Sequence, residues 1–398
     1  MYDLFDDDGL DGHHVDALTL GAGYALYRHG QDRQTEELIN ALGRREDDGE
    51  PQRLDIHVHT DEDERGIAPV NFLDFATVDI PRDWDDYIGQ EPLKRQLQVY
   101  MAAAKAKGKR LPHTLLASGY PGVGKTTMAR LIAVSMGVQI VELVPPFNVY
   151  TLVEAAKKLG DKDILFIDEI HKLADSGKRG AEILLKVLEE GVAFLPDGTI
   201  EQLADITVIG ATTDQDKLPE PVVDRFKIKP YFQAYSDGEL AEIAIQFAYK
   251  KRAQEHVDDW MAAHIALACR GTPRIIDEMV EAADNLSLAL GRNATPAEVL
   301  DFLEVEPDGL TRTHIHYLTA MRQYFAREAK DDGVEYIVGE AAIQQILRET
   351  KQGIGRIERF LVERGLIDRT PRGRRLTDLG IARAEEFIRV GKGAADVV

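Results

Sequence analysis

The chain has 398 residues, a formal net charge of −21 at pH 7 and 44% hydrophobic residues. This length allows two to four domains, and the hydrophobic content is sufficient for folded cores. The sequence contains no apolar stretch long enough to span a membrane, its acidic N-terminus does not resemble a signal peptide, and its single cysteine excludes an intramolecular disulfide. We therefore expect a soluble, multidomain cytoplasmic protein.

The negative charge is concentrated in an N-terminal extension, residues 1–79, in which we identify no catalytic or binding motif. Residues 1–80 carry 6 basic and 20 acidic side chains, whereas residues 351–392 carry 11 basic and 6 acidic ones. Screening confines electrostatic effects to about 10 Å at 0.1 M salt, so the local charge decides which partners are attracted. The acidic chain therefore does not exclude nucleic acid as a partner of its C-terminal region.

Strand-like and helix-like segments alternate over residues 80–235, which is the pattern of an α/β domain with a parallel sheet. We predict strands at 113–118, 139–143, 163–168, 206–211 and 228–233, and helices at 91–107, 124–136, 150–159 and 179–190. Residues 236–306 carry no strand pattern, and they predict three or four helices that would form a small lid domain.

Residues 119–126 match the phosphate-loop pattern G-x-x-x-x-G-K-T between the first predicted strand and a helix-like run. The glycines of such a loop let backbone N–H groups cradle phosphates, and the following helix adds the positive end of its dipole. Lys125 would reach the β- and γ-phosphates, and the Thr126 hydroxyl would ligate Mg²⁺. The sequence therefore predicts that the chain binds a nucleoside triphosphate.

After Asp163, an unbroken apolar run over residues 164–167 ends in two carboxylates, Asp168 and Glu169, roughly 40 residues after Lys125. Uninterrupted apolar runs are typical of central parallel strands, and ligands of such sheets bind at the carboxyl ends of the strands. Asp168 would hold Mg²⁺, and Glu169 would act as the general base that polarises the attacking water. The pattern predicts hydrolysis as well as binding.

The C-terminal module, residues 307–398, follows a linker signal at 306–309 and is predicted to be a winged helix. A helix at 356–363 precedes two short strand-like pieces that flank a Pro-Arg-Gly turn. In this plan the basic hairpin is the wing. Arg369, Arg372 and Arg374 would contact DNA phosphates from it.

These motifs resemble, in order, those of one family of AAA+ ATPases, RuvB, the bacterial Holliday-junction branch-migration motor. The matching segments are 87–91 (YIGQE), 122–127 (GVGKTT), 165–172 (LFIDEIHK), 209–213 (IGATT), 224–226 (DRF), 271–274 (GTPR) and 369–374 (RTPRGR). Together they extend over roughly three-quarters of the chain. The resemblance implies an ATP-hydrolysing hexameric ring that acts on junction or duplex DNA.

The resemblance also implies roles for single residues. Thr213 would position the attacking water or the γ-phosphate, and Arg274 would contact the γ-phosphate of its own subunit. Arg225 would reach the neighbouring subunit's site as an arginine finger, which makes hydrolysis depend on a ring. The implied catalytic residues are Lys125, Asp168, Glu169, Thr213, Arg225 and Arg274. The implied nucleotide-binding residues are Gly119, Pro121, Gly122, Val123, Gly124, Lys125, Thr126, Thr127 and Arg274, with Tyr87, Ile88, Tyr235 and Pro273 lining the adenine pocket.

The sequence departs from the family pattern at two places where subunits or partners would meet. Residues 189–207, with a predicted turn at 196–198, form a shorter segment than the family's hairpin that docks the junction-binding partner RuvA. The shorter segment disfavours pairing with a standard RuvA, so the expected partner is a RuvA-like or another protein, with its identity open. Val223 and Lys227 stand where an arginine and a glycine usually flank the finger.

Three functions are compatible with these motifs. The first is a DNA-translocating motor, and the second is an ATP-switched clamp or helicase loader that does not translocate itself. They differ in whether hydrolysis produces sustained movement along DNA. The third is a nucleotide-gated DNA-binding scaffold, which the intact Glu169 and Arg225 disfavour because a degenerate ATPase would be expected to lose them. We expect the motor.

Overall fold

The structure is a computed structural model, and it describes residues 81, 83–175, 178–195, 198–328 and 334–391. The N-terminal extension and most of the predicted turn at 196–198 lie outside the described residues. The chain divides into two compact units: the first comprises the described residues up to Glu239 together with Thr272–Arg274, and the second comprises Leu240–Gly271 and the described residues from Ile275 onward. None of the described helices combines the length and apolarity needed to cross a membrane.

The first unit contains a parallel sheet and the helices that connect its strands. Its elements are α1 (Glu91–Ala106), β1 (Thr114–Ala117), α2 (Lys125–Met136), β2 (Ile140–Leu143), α3 (Val149–Lys157), β3 (Ile164–Ile167), α4 (His171–Asp175), α5 (Lys178–Glu190), β4 (Val192–Phe194), β5 (Ile200–Gln202), β6 (Thr207–Thr212) and α6 (Glu220–Val223). The strand order of the sheet is β1-β6-β3-β2, and all pairs are parallel. These strands agree with four of the five strands predicted from the sequence.

The register of the sheet brings three loops to one edge. Every residue of β1, β3 and β6 is buried, as expected for strands covered on both faces. Ala117 at the end of β1 pairs with Thr212 at the end of β6, and Ile167 at the end of β3 pairs with Gly210. The loops that follow these strands therefore leave the sheet side by side at its carboxyl edge.

The fifth predicted strand, 228–233, is not a regular strand in the structure. The segment follows β1 through two isolated bridges, at Ile228 and Tyr231. Its carbonyl groups accept hydrogen bonds from Leu115 N (2.8 Å, at Ile228 O) and Ala117 N (3.5 Å, at Pro230 O). Pro230 has no N–H to donate, which limits the segment to an edge position with an interrupted ladder.

Four helices occupy residues 237–302, within the predicted number of three or four. They are α7 (Asp237–Lys251), α8 (Asp259–Ala268), α9 (Pro273–Leu290) and α10 (Pro296–Phe302). Reciprocal capping fixes the start of α10, because Thr295 and Glu298 each accept a backbone N–H of the other.

The winged helix of the second unit has more strands than the sequence predicted. Its elements are α11 (Arg312–Tyr324), β7 (Ala326–Glu328), β8 (Val334–Val338), α12 (Glu340–Leu347), α13 (Lys351–Glu363), β9 (Ile367–Thr370), β10 (Gly373–Leu376) and α14 (Asp378–Arg389). The two wing strands β9 and β10 were predicted, and β10 also pairs with β8 in the order β7-β8-β10-β9. Tyr317, Leu361 and Phe387 lie in the core beneath this sheet.

The predicted linker at 306–309 is a tight, well-packed turn. Glu306 N donates to Leu310 O at 2.8 Å, and Val305 bridges to Thr311. Gly309 has φ +85, and a Cβ there would lie 3.0 Å from the carbonyl oxygen of Ala268. Glycine is needed both for this backbone conformation and for this close approach.

Candidate functional site

The phosphate loop connects β1 to α2 at the carboxyl edge of the sheet. Gly122 and Gly124 both have left-handed backbone conformations, with φ values of +74 and +95. A Cβ on Gly122 would lie 2.7 Å from Thr272 Cγ2 and 3.2 Å from Arg274 Cβ. The glycine therefore lets the segment that carries Arg274 pack directly against the loop.

Lys125 begins α2 and is almost fully buried. Its ammonium donates to the Ser118 hydroxyl at 2.9 Å and, less closely, to the carbonyl oxygen of Tyr120 at 3.3 Å. Burial lowers the pKa of Lys125, and the carboxylates of Glu169 and Asp168 partly offset this effect. Because its hydrogen-bond partners are neutral, the cation keeps its charge available for an anion at the loop.

Asp168 and Glu169 follow β3 at the same sheet edge. Burial, followed by repulsion from Glu169, raises the pKa of Asp168, and its Oδ1 accepts the backbone N–H of Glu169 at 3.0 Å. Glu169 has φ +49, a conformation that is uncommon for residues other than glycine. Such strained positions cluster at active sites, where the surrounding structure holds a side chain in a required direction.

Two further residues hold the Glu169 carboxylate. The Thr213 hydroxyl donates to Glu169 Oε2 at 3.1 Å, and His171 Nδ1 lies 3.4 Å from the same oxygen. His171 is buried, and its Nδ1 is also 2.9 Å from the Thr212 hydroxyl. The sequence predicted Glu169 and Thr213 but no role for His171 or Thr212. Only the pairing of β3 with β6 brings these four residues together.

Tyr87 and Tyr235 support the phosphate loop from outside. Their hydroxyls lie 3.3 Å and 3.0 Å from the carbonyl oxygen of Val123, to which both donate, and 3.4 Å from each other. Burial raises the pKa of Tyr87 and raises that of Tyr235 to about 12, so both remain donors at neutral pH. Gln90 and Gln233 fasten the two tyrosine segments together through a reciprocal pair of 2.9 Å hydrogen bonds.

The remaining predicted nucleotide residues also belong to the first unit. Gly119 and Pro121 lie in the loop, Thr126 and Thr127 lie in the first turn of α2, Ile88 is buried beside Tyr87, and Pro273 begins α9. Within the described ranges, no group of three or more His, Cys, Asp or Glu side chains could hold a metal by itself. The Thr126 hydroxyl and the Asp168 carboxylate are oxygen ligands of the kind that Mg²⁺ accepts, because this ion is usually held by one or two protein oxygens, waters and substrate phosphates.

Arg225 lies after α6, away from the loops at the carboxyl edge. Its guanidinium is 44% exposed and forms an ion pair with Glu189. It lines a cavity of about 450 Å³ together with Pro112 and His113, which precede β1. The phosphate loop follows the other end of β1, and a four-residue strand spans about 13 Å. Arg225 and the phosphate loop therefore lie at opposite ends of this strand.

The three predicted wing arginines differ in exposure. Arg369 and Arg372 are 56% and 64% exposed, and Arg372 forms an ion pair with Glu335 at 2.9 Å. Arg374 is only 21% exposed, and it bonds to Glu358 at 2.7 Å and to Glu340 at 3.1 Å. Two of the three are therefore accessible to a partner, while Arg374 is held inside the domain.

Comparisons with known proteins agree with this architecture. The family described as "Holliday junction DNA helicase RuvB P-loop domain" matches residues 80–231, and the RuvB C-terminal winged helix domain matches residues 307–384. The Holliday junction branch migration complex subunit RuvB of Oenococcus oeni is 35% identical over 315 residues, which cover 75% of this chain and 88% of that protein. The chain belongs to the RuvB family.

Other members of the RuvB family give the same result. The RuvB subunit of an Anaeromyxobacter species is 35% identical over 305 residues, covering 74% of this chain and 86% of that protein. The solved structure of the Thermotoga maritima RuvB branch migration motor matches with a TM-score of 0.64 and 28% identity, covering 78% of this chain and 97% of that one. The AAA+ core and the winged helix are therefore shared with RuvB, as the sequence predicted.

Proposed function

We propose that this chain is an ATP-driven DNA motor whose reaction is the branch migration of Holliday junctions. The observation that carries the proposal is the carboxyl edge of the sheet, where Lys125, Asp168 and Glu169 follow paired strands and Thr213 orients the Glu169 carboxylate. Relatives that share these domains are named branch migration complex subunits. We assign residues 80–235 to the ATPase domain, 236–306 to the lid and 307–398 to DNA binding, with the extension 1–79 outside this core.

We propose the following roles for the site residues, which agree with their positions. The N–H groups of the phosphate loop and the Lys125 ammonium bind the phosphates, and Arg274 at the loop reports the γ-phosphate to the lid. Glu169 takes the proton of the attacking water, and its hydrogen bond from Thr213 keeps the carboxylate turned toward that water. Mg²⁺ held by Thr126 and Asp168 would neutralise charge on the β- and γ-phosphate oxygens.

Arg225 completes the site of a neighbouring subunit in a ring. It lies at the opposite end of β1 from the phosphate loop of its own chain, and its partner there is Glu189. An arginine supplied in trans accelerates phosphoryl transfer by about 10³–10⁵. A closed ring, which we take to be a hexamer, provides this arginine to every site.

The β4–β5 hairpin is the surface that we assign to a protein partner of the RuvA type. It pairs only three residues on each strand, and the exposed Phe194 and Ile200 face each other across it. An exposed apolar pair on a hairpin favours docking of another protein. The winged helix binds DNA, and the reaction takes place in the cytoplasm.

The test is ATP hydrolysis with junction, duplex and single-stranded DNA, together with a branch-migration assay on a four-way junction. We expect junction DNA to stimulate hydrolysis and ATP to be required for migration, with particle images giving the ring stoichiometry. DNA-stimulated hydrolysis without sustained migration, even with a RuvA-type partner present, would favour the loader instead.

A further inference from the structure

Five charged side chains of the winged helix form an unbroken chain of alternating sign. Lys351 Nζ lies 3.2 Å from Glu340 Oε1, and Glu340 Oε2 lies 3.1 Å from Arg374 Nη2. Arg374 Nε then donates to Glu358 Oε1 at 2.7 Å, and Glu358 Oε2 lies 3.3 Å from Arg369 Nη2. We call these five residues the charge chain. It begins and ends with a cation, so its net charge is +1.

The interior of the charge chain is buried and its two ends are exposed. Glu358 is fully buried and Arg374 is 21% exposed, whereas Lys351 and Arg369 are 81% and 56% exposed. The Tyr317 hydroxyl donates to Glu358 Oε1 at 3.0 Å, which anchors the chain in the domain core. A buried carboxylate that is both paired and hydrogen-bonded fixes the geometry of its hydrogen-bond partners, which here are Arg374 and Tyr317.

Both exposed cations line one cavity. This cavity has a volume of about 410 Å³ and lies between the first turns of α13, which carry Lys351 and Gly355, and the wing strands, which carry Arg369, Thr370 and Gly373. The carboxylates of Glu340 and Glu358 also line it. We call this cavity the slot.

We propose that the slot binds one phosphate group of the DNA backbone between Lys351 and Arg369. The proposal rests on the DNA motor function proposed above and specifies which side chains of the winged helix share a single phosphate. Ammonium and guanidinium groups are the side-chain cations that most often bind phosphates, and here they line one cavity from a helix and a strand. The Glu358–Arg369 contact lacks hydrogen-bond geometry, which leaves the Arg369 guanidinium free to turn toward a phosphate.

Gly355 gives an independent reason to regard the slot as a binding site. It lies in the interior of α13, where glycine is less favourable than alanine. A Cβ at this position would meet no atom within 4 Å, so packing within the domain does not require glycine. The absent side chain leaves the slot open.

The first test uses the salt dependence of duplex binding by the full-length protein. Lys351→Ala and Arg369→Ala should each weaken binding about 3-fold to 10-fold near 0.1 M salt and lower the slope of log K against log salt by up to about 0.9. In the double variant the magnitude of the salt slope should fall by no more than about 0.9 in total, because both cations act on one phosphate. Arg389→Ala, which removes the same charge from α14 outside the slot, should leave the slope unchanged.

The second test changes the volume of the slot without changing its charge. Gly355→Ala should raise Tm by about 2–4 °C because alanine favours the helix. Gly355→Leu should fill the slot and weaken duplex binding about 10-fold while the protein remains folded by circular dichroism. Unchanged affinity in folded Gly355→Leu protein would overturn the proposal.

The outcomes separate this proposal from the function on which it rests. A wild-type protein that binds no DNA contradicts the motor function. A wild-type protein that binds DNA while the double variant keeps the wild-type slope, or loses about 1.8 of it, shows that the two cations do not share one phosphate. Exchange of chloride for inorganic phosphate at equal ionic strength should weaken binding more in the wild type than in the double variant. Equal weakening would mean that the slot does not select phosphate.

Discussion

Glu169 is the residue on which hydrolysis should depend most directly. Its backbone is held at φ +49, and its carboxylate accepts the Thr213 hydroxyl at 3.1 Å. Glu169→Gln keeps the shape and the hydrogen bond but removes the base, so we expect ATP binding to persist and turnover to fall about 10²-fold to 10⁴-fold. Lys125→Ala is the contrasting variant, since it should lose binding as well. Wild-type turnover by Glu169→Gln would exclude this residue as the base.

Each residue to which we assign a chemical role in the site belongs to a local sequence pattern. Lys125 and Thr126 come from the glycine-rich loop, and the two carboxylates come from the end of an apolar strand. No role could be assigned to His171 in this way. Its 2.9 Å contact with Thr212 exists only because β3 and β6, which are distant in sequence, are neighbours in the sheet. Partners created by strand pairing carry no local signal.

At the scale of elements, the N-terminus of α11 makes the stability of the second unit depend on pH. His314 Nδ1 accepts the Thr311 N–H at 3.1 Å, and burial, with repulsion from Arg270, lowers the pKa of His314 to about 4. In the unfolded chain this pKa is about 6.5, so the unfolded state binds the proton first as pH falls. The contribution of neutral His314 to the free energy of unfolding is therefore fully present above about pH 6.5. It decreases by about 3 kcal/mol as the pH falls from there to 4.

His314→Gln is the variant that tests this pH dependence. Glutamine at the same position can still cap the helix reciprocally with Thr311 but does not titrate. We expect the free energy of unfolding of the variant, measured by denaturant titration, to change less than that of the wild type between pH 6.5 and 4. Parallel curves for the two proteins would show that His314 is not the titrating group.

The elements that the sequence missed have specific causes. Ala326–Glu328 spans only three residues, two of them charged, so β7 has no alternation of apolar and polar positions to detect. The segment at 228–233 is the reverse case, a predicted strand that the structure does not form. Its apolar residues predicted a strand, but Pro230 cannot donate to a ladder, and the structure retains only isolated bridges. Whether a segment pairs in a sheet depends on its neighbouring strand as well as on its own residues, so the sequence of neither segment alone predicts its pairing.

At the scale of the whole molecule, a finger that acts in trans predicts complementation between two inactive subunits. Arg225→Ala subunits keep an intact phosphate loop, and Lys125→Ala subunits keep an intact finger. Each should be inactive alone, whereas equal mixtures should recover about a quarter of the wild-type rate, because that fraction of sites combines both elements in a randomly mixed ring of independent sites. The measurement is ATP hydrolysis against mixing ratio. Confirmed mixed rings without any recovery would contradict a trans finger.

The last prediction concerns the charge distribution of the whole chain. Residues 1–80 carry a net charge of −14, while residues 351–392 carry +5. An acidic segment on the same chain competes with DNA for basic side chains of the winged helix at a high effective concentration. Deletion of residues 1–78 should therefore leave basal ATP hydrolysis unchanged and tighten duplex binding, by about 10-fold at low salt and hardly at all near 1 M, where the Debye length is about 3 Å.

A control for this deletion separates charge from length. A full-length variant in which every Asp and Glu of residues 1–78 is replaced by Asn or Gln keeps the chain but removes the competing charge. If the acidic residues act as an electrostatic competitor, this variant should bind duplex DNA as tightly as the truncated protein and with the same salt slope. Tight binding by the truncation alone would instead assign the effect to steric exclusion. Equal affinities of all three proteins across the salt series would leave the extension a role in docking a partner, because it would then have no influence on DNA.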